Sequence, residues 1–120
     1  MYKDWQQTAN DLSGAVRSLR KGDPDAMQAF SALAQAALKP AALDVKTKEL
    51  ISLAIAVAIR CDGCIAFHAQ AAVKAGATRD EVLETMGMAV YMGAGPSVMY
   101  AAQALEAFDQ FDRPVEKDRD

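Results

Sequence analysis

Histidine occurs once and cysteine twice in the 120 residues, and basic residues are outnumbered, with 13 Lys and Arg against 16 Asp and Glu. The formal net charge of −3 and a pI near 5.1, with no basic stripe, argue against a nucleic-acid binder, because a phosphate backbone rewards clustered Lys and Arg. Long apolar runs are missing as well. The longest, Leu53 to Ile59, is far short of the ~20 residues that cross a bilayer. The opening Met-Tyr-Lys-Asp-Trp-Gln-Gln lacks the apolar core of a signal peptide. There is no internal repeat, no Gly-rich phosphate loop and no low-complexity linker. The expectation is a cytoplasmic, soluble, single-domain protein with no membrane contact. In a reducing compartment two cysteines suit a metal site or a cycling dithiol better than a permanent staple.

Hydrophobic residues make up 52% of the sequence, many of them alanine, and they fall at helical spacing without alternating strand runs. The expected class is all-α, a compact bundle of about six helices. Trp5 to Arg20 is amphipathic and should stop before Gly22, packing on the outside. Asp23 offers an N-cap and Pro24 a first-turn proline for a helix to about Leu38, with Met27, Phe30, Leu33, Ala34 and Ala37 on its buried side. Asp44 can cap a third helix, Val45 to about Arg60, apolar nearly all round and therefore central. A fourth runs to Ala75 and stops at Gly76. Thr78-Arg79-Asp80-Glu81 spells a capping box for a fifth, ending near Met92. Gly93-Ala94-Gly95-Pro96 breaks the chain before a last helix, Ser97 to Phe111, that turns Val98, Tyr100 or Ala101, Leu105 and Phe108 inward. The core of the single domain, 1–120, should span about 40–111, with 112–120 a charged tail that frays.

Arg60 to His68 reads Arg-Cys-Asp-Gly-Cys-Ile-Ala-Phe-His and gathers both cysteines and the only histidine. In the first turns of a helix, Cys61, Cys64 and His68 project from one face. A helix N-terminus lowers a thiol pKa, which by position alone favours Cys61, and sulfurs one turn apart can close a disulfide. Glu49, one turn into the third helix, is either a solvated acid favoured by the helix dipole or a buried carboxylate in need of a partner. In an antiparallel hairpin turning near Arg60 to Gly63 its axial offset from His68 is roughly 8 Å. That spacing lets the carboxylate approach the imidazole directly or through a water and supports a relay from Glu49 through His68 to Cys64 over direct contact between Glu49 and a thiol; a steep crossing angle or a neighbouring subunit would change it. Met86, Met88, Met92 and Met99 could line an organic pocket but are better read as gap-fillers in a core.

With Glu49, eleven residues, Cys61-x-x-Cys64, three residues and His68, the sequence resembles the alkylhydroperoxidase D-like branch of the carboxymuconolactone decarboxylase family. The likeness runs from about Pro40 through Asp44-Val-Lys-Thr-Lys-Glu-Leu to Gly76 and the capped helix after it. The resemblance implies an all-helical homo-oligomer, a trimer or hexamer, acting as a thiol-dependent peroxidase or disulfide reductase with no cofactor. It implies that Cys64 is the peroxide-attacking thiolate and Cys61 the resolving thiol, with His68 and Glu49 moving the proton. The partners implied are a hydroperoxide or disulfide substrate and an external dithiol donor, a thioredoxin-like or lipoyl protein. Decarboxylases of the same family generally lack the paired cysteines.

Two other readings stand beside it. Cys61, Cys64, His68 and an acid such as Glu49 or Asp62 could hold zinc, although three ligands from one helix come from one side only. Alternatively, the cysteines are small buried hydrophobes in a non-catalytic helical oligomer. Assembly is expected on any reading, because the third helix needs cover all round and Val90, Tyr91, Met92, Met99, Tyr100 and Phe108 exceed what one small core holds.

Overall fold

The computed structural model describes residues 1–112, whose regular structure is all helical: α1 (Trp5–Gly22), α2 (Pro24–Leu38), α3 (Val45–Ala58), α4 (Asp62–Lys74) and α5 (Arg79–Asp112). The helix starts follow the sequence closely. The side chains of Asp4, Asp23 and Asp44 accept from Gln7, Ala26 and Thr47 N–H at the first three N-termini. At the fifth the capping box is reciprocal, with Glu81 N–H donating to Thr78 Oγ1 at 3.1 Å and Thr78 N–H to Glu81 Oε1 at 2.8 Å. Each bond satisfies an N–H with no partner inside its helix.

The break at Gly93 to Pro96 is a kink and not a gap. Between Arg79 and Asp112 two helical stretches meet directly at Ala94, the one residue with non-helical backbone angles (φ 57°, ψ −145°), and Pro96 just beyond it has no N–H to donate back. A straight helix of 34 residues would be roughly 51 Å long at ~1.5 Å per residue, more than the 40 Å longest dimension of the chain. The kink folds α5 back over the core. Gly93 is required there, since a Cβ at that position would fall 1.9 Å from Ser97 Oγ.

Helices α3, α4 and α5 pack mutually to form the centre, and α1 lies against α4 and α5. Leu53, Val57, Ile65, Val82 and Phe108 are fully buried among small residues such as Ala66, Ala69, Ala72, Ala104 and Ala107, and the alanines let the helix axes approach closely. The outer helix α1 also enters this core at its start, because Trp5 is completely buried and Ala9 nearly so.

The apolar stripe of α2 is not buried: Phe30 and Leu33 are 63% and 62% exposed, since among the described residues α2 packs mainly along α1 and more slightly against α3. On α3, Ile51, Ile55 and Ile59 face outward, so the cover its composition calls for is incomplete within one chain. Of the four methionines on α5, Met86 is a core residue, whereas Met88, Met92 and Met99 are exposed. Val98 is also exposed and Phe108 fully buried. The last helical stretch thus turns Ala101, Ala104 and Phe108 inward, and Phe108 belongs to the core. The charged tail beyond Asp112 lies outside the described residues.

Candidate active site

The turn between α3 and α4 fixes the first cysteine from both sides. Helix α3 ends in a Schellman motif: Arg60 takes a left-handed conformation (φ 58°) and Cys61 N–H returns to Ala56 C=O at 3.1 Å, satisfying a carbonyl that the helix leaves open. Cys61 is then the N-cap of α4, where its Sγ accepts from Cys64 N–H at 3.2 Å. The sulfur of Cys61 therefore sits in the positive field of the helix N-terminus, which favours a thiolate. Cys61 and Cys64 are joined as a disulfide, with Cα atoms 5.2 Å apart. Gly63 lets α1 come close beside them, because a Cβ there would meet Leu12 Cδ1 at 2.9 Å.

One turn beyond Cys64, His68 carries the imidazole out on the same helix, and its Nδ1 lies 2.7 Å from Glu49 Oε1. The contact is direct and within one chain. Neither a bridging water nor a neighbouring subunit is needed to close the axial offset of roughly 8 Å expected of an antiparallel hairpin. Residues level along two axes can be out of reach, and residues offset along them can meet, when the helices cross at an angle. Glu49 is 5% exposed, so it is the buried acid and not the solvated one. Beside an ionised carboxylate Nδ1 donates, which leaves Nε2 as the ring nitrogen that can exchange a proton with a reacting group. The histidine side chain is 34% exposed and can reach solvent or substrate.

The acid inside the motif, Asp62, is taken up by Lys3, whose Nζ lies 2.6 Å from Asp62 Oδ2. Lys3 was hidden in the sequence, because nothing in a polar N-terminal segment signals that it folds back onto a turn some sixty residues away. Glu106 on α5 holds that segment, accepting hydrogen bonds from Tyr2 N–H, Lys3 N–H and Trp5 Nε1–H. Gln110 adds two more, accepting from Trp5 N–H and donating to Lys3 C=O. Burial opposes ionisation of Glu106, yet these hydrogen bonds together outweigh it and hold its carboxyl below the ordinary value. Next to His68, Phe67 forms part of the wall of an open groove of about 410 Å³ with Ser13, Val16, Arg17 and Arg20 of α1.

The sequence profile of the carboxymuconolactone decarboxylase family matches residues 24–107. The chain belongs to this family. A carboxymuconolactone decarboxylase family protein of Legionella pneumophila is 57% identical, with a TM-score of 0.89 over 91% of this chain and 97% of that one. A family protein of Thermotoga maritima, for which a part in the antioxidative response has been suggested, is 33% identical with a TM-score of 0.68 over 77% of this chain and 94% of its own. An uncharacterized protein of Haemophilus influenzae is 42% identical over 90% of this chain and 96% of its own length. The disulfide between Cys61 and Cys64 fits the alkylhydroperoxidase D-like branch of the family.

Proposed function

We propose that this carboxymuconolactone decarboxylase family member is a thiol peroxidase or disulfide reductase. The observation that carries the reading is a cysteine pair close enough to bond at a helix N-terminus, followed one turn later by a histidine held by a buried carboxylate. In the reduced protein the Cys64 thiolate attacks the distal oxygen of a hydroperoxide. The O–O bond breaks, Cys64 becomes a sulfenic acid and an alkoxide or hydroxide leaves. His68 supplies the proton to that leaving group and Glu49 orients the ring and stabilises its charged form. Cys61 then attacks the Cys64 sulfur, the disulfide forms and water departs. An external dithiol, reducing the bond by thiol–disulfide exchange, completes the cycle.

The assignment of the attacking sulfur follows the family pattern, while the helix field and the Cys64 N–H bond favour an acidic Cys61. Dimedone labelling decides between them. After stoichiometric hydroperoxide, Cys61→Ser should be labelled at Cys64 and Cys64→Ser should consume no peroxide; labelling of the Cys64→Ser protein alone would exchange the roles. Wild-type protein should lose two thiols per chain within one peptide, and disulfide-linked dimers as sole product would remove the resolving step. A lyase reading gives the thiols nothing to do, so a protein whose lactone decarboxylation survives loss of both cysteines would replace this one.

A second copy of the chain belongs to the same proposal. Ile51, Ile55 and Ile59 form an exposed stripe on α3, and Tyr91, Met92 and Met99 are exposed along α5, whereas soluble monomers seldom show large apolar patches. Closed assembly, as a trimer or a pair of trimers, covers them.

A further inference from the structure

Between the cysteines stands an aspartate, and a carboxylate so close to a thiol disfavours the thiolate that the chemistry needs. The structure supplies its counter-charge from far along the chain. Lys3 Nζ is 2.6 Å from Asp62 Oδ2 with the two side chains 32% and 45% exposed, and the same ammonium lies 5.0 Å from the centroid of the Trp5 ring. An isolated surface pair of this kind would be worth little. Here the lysine is delivered by an arm pinned on both sides, by Glu106 through two backbone N–H groups and the Trp5 indole N–H and by Gln110 through two backbone groups, with Trp5 fully buried as the anchor.

We propose that Lys3 is a positioning residue of the redox site: held by the N-terminal arm, it neutralises Asp62 and so keeps the reactive thiol of the Cys61–Cys64 pair acidic. The proposal rests on the thiol reading above only for the use made of that thiolate. Asp62 and His68 of α4 and Arg60 of the preceding turn neighbour the pair along the chain; Glu49 of α3 is paired with His68, Lys3 of the arm with Asp62, and the apolar Leu12 of α1 reaches Gly63. Glu106 of α5 is committed to the arm. Of these, Lys3 and Asp62 can be removed as a pair without touching the cysteines, the histidine or Glu49.

The test is the thiol pKa of the reduced protein, read from the pH dependence of the iodoacetamide alkylation rate, for wild type, Lys3→Met, Asp62→Asn, the double variant and Lys3→Arg. An uncompensated carboxylate on the residue between the two cysteines should raise the pKa by about half a unit or more, roughly a threefold loss of thiolate at a pH below it. Lys3→Met should therefore be raised, Lys3→Arg and the double variant should return to within about 0.2 units of wild type, and Asp62→Asn should lie at or below it. An unshifted Lys3→Met overturns the proposal. So does a raised Lys3→Met that Asp62→Asn does not restore, because the arm would then act by packing and not by charge. Alkylation needs no peroxide turnover, so a wild type that ignores hydroperoxides while keeping this pattern would refute the peroxidase reading and leave the Lys3 assignment standing.

Discussion

Replacing Glu49 by glutamine separates the two things its carboxylate can do. Gln is nearly isosteric and its carbonyl still accepts from His68 Nδ1–H, but it has no charge with which to stabilise an imidazolium. The carboxylate is 6% exposed and 2.7 Å from the ring. A hydrogen bond between charged partners contributes about 1.5–3 kcal/mol to stability, and the desolvation of a buried carboxylate offsets part of that. Because the histidine side chain is 34% exposed, water can replace some of the lost partner. Glu49→Ala should therefore cost about 1 kcal/mol, a fall in Tm of roughly 4 °C for a chain of this size, and Glu49→Gln less than half of that. Catalysis should respond differently. General acid–base assistance contributes about 10²–10⁴-fold, and a variant that keeps the ring in place but weakens its charged form should lose at least a tenfold share of it.

The assay is single-turnover oxidation of reduced protein by a hydroperoxide, followed by thiol titration, alongside thermal melts monitored by circular dichroism. The expected outcome is a Glu49→Gln protein that melts with wild type and oxidises at least ten times more slowly. Unchanged oxidation rates in Glu49→Gln would refute a proton-handling role. Equal destabilisation of both variants by more than about 3 kcal/mol would make Glu49 a structural residue whose burial serves the core.

Arg60 holds the left-handed position of the α3 stop (φ 58°), which costs a side-chain-bearing residue about 1–2 kcal/mol, partly offset by glycine's greater unfolded entropy; Arg60→Gly should raise stability by about 0.5–1 kcal/mol in denaturant melts. Glu106 has its carboxyl held below the ordinary 4.5, so its contribution is present above the ordinary glutamate range and is lost as pH falls through the lowered value; the single tryptophan, Trp5, should report release of the arm by a fluorescence change on acidification, and Glu106→Gln should flatten that transition. Sedimentation equilibrium at micromolar concentration should give a closed oligomer, and Ile55→Glu, at a residue 53% exposed, should shift the mass toward monomer without loss of helicity; a monodisperse wild-type monomer would remove the second copy from the proposal.

Most helix starts and stops were readable in the sequence because they are local chemistry: Asp23, Asp44, Thr78 with Glu81, Pro24 and Gly76 act on backbone groups within three or four residues of themselves. The placement of Cys61 at the N-cap of α4 and of Cys64 and His68 within it is local in the same way. What escaped was decided between elements. Periodicity marks Phe30 and Leu33 as an apolar face but not whether another helix arrives to cover it, and α2 remains at the edge. Gly93 to Pro96 signals disruption without saying whether the chain ends a helix or bends one, and Ala94 bends it. Glu49 contacts His68 directly at 2.7 Å, because the packing of α3 against α4 brings their side chains together in a way that a one-dimensional offset does not contain. Lys3 reaches Asp62 only because Trp5 is buried beneath α5 and Glu106 and Gln110 tie the arm down. The local pattern specified which groups the site contains; packing of helices distant in sequence determined which charges those groups meet.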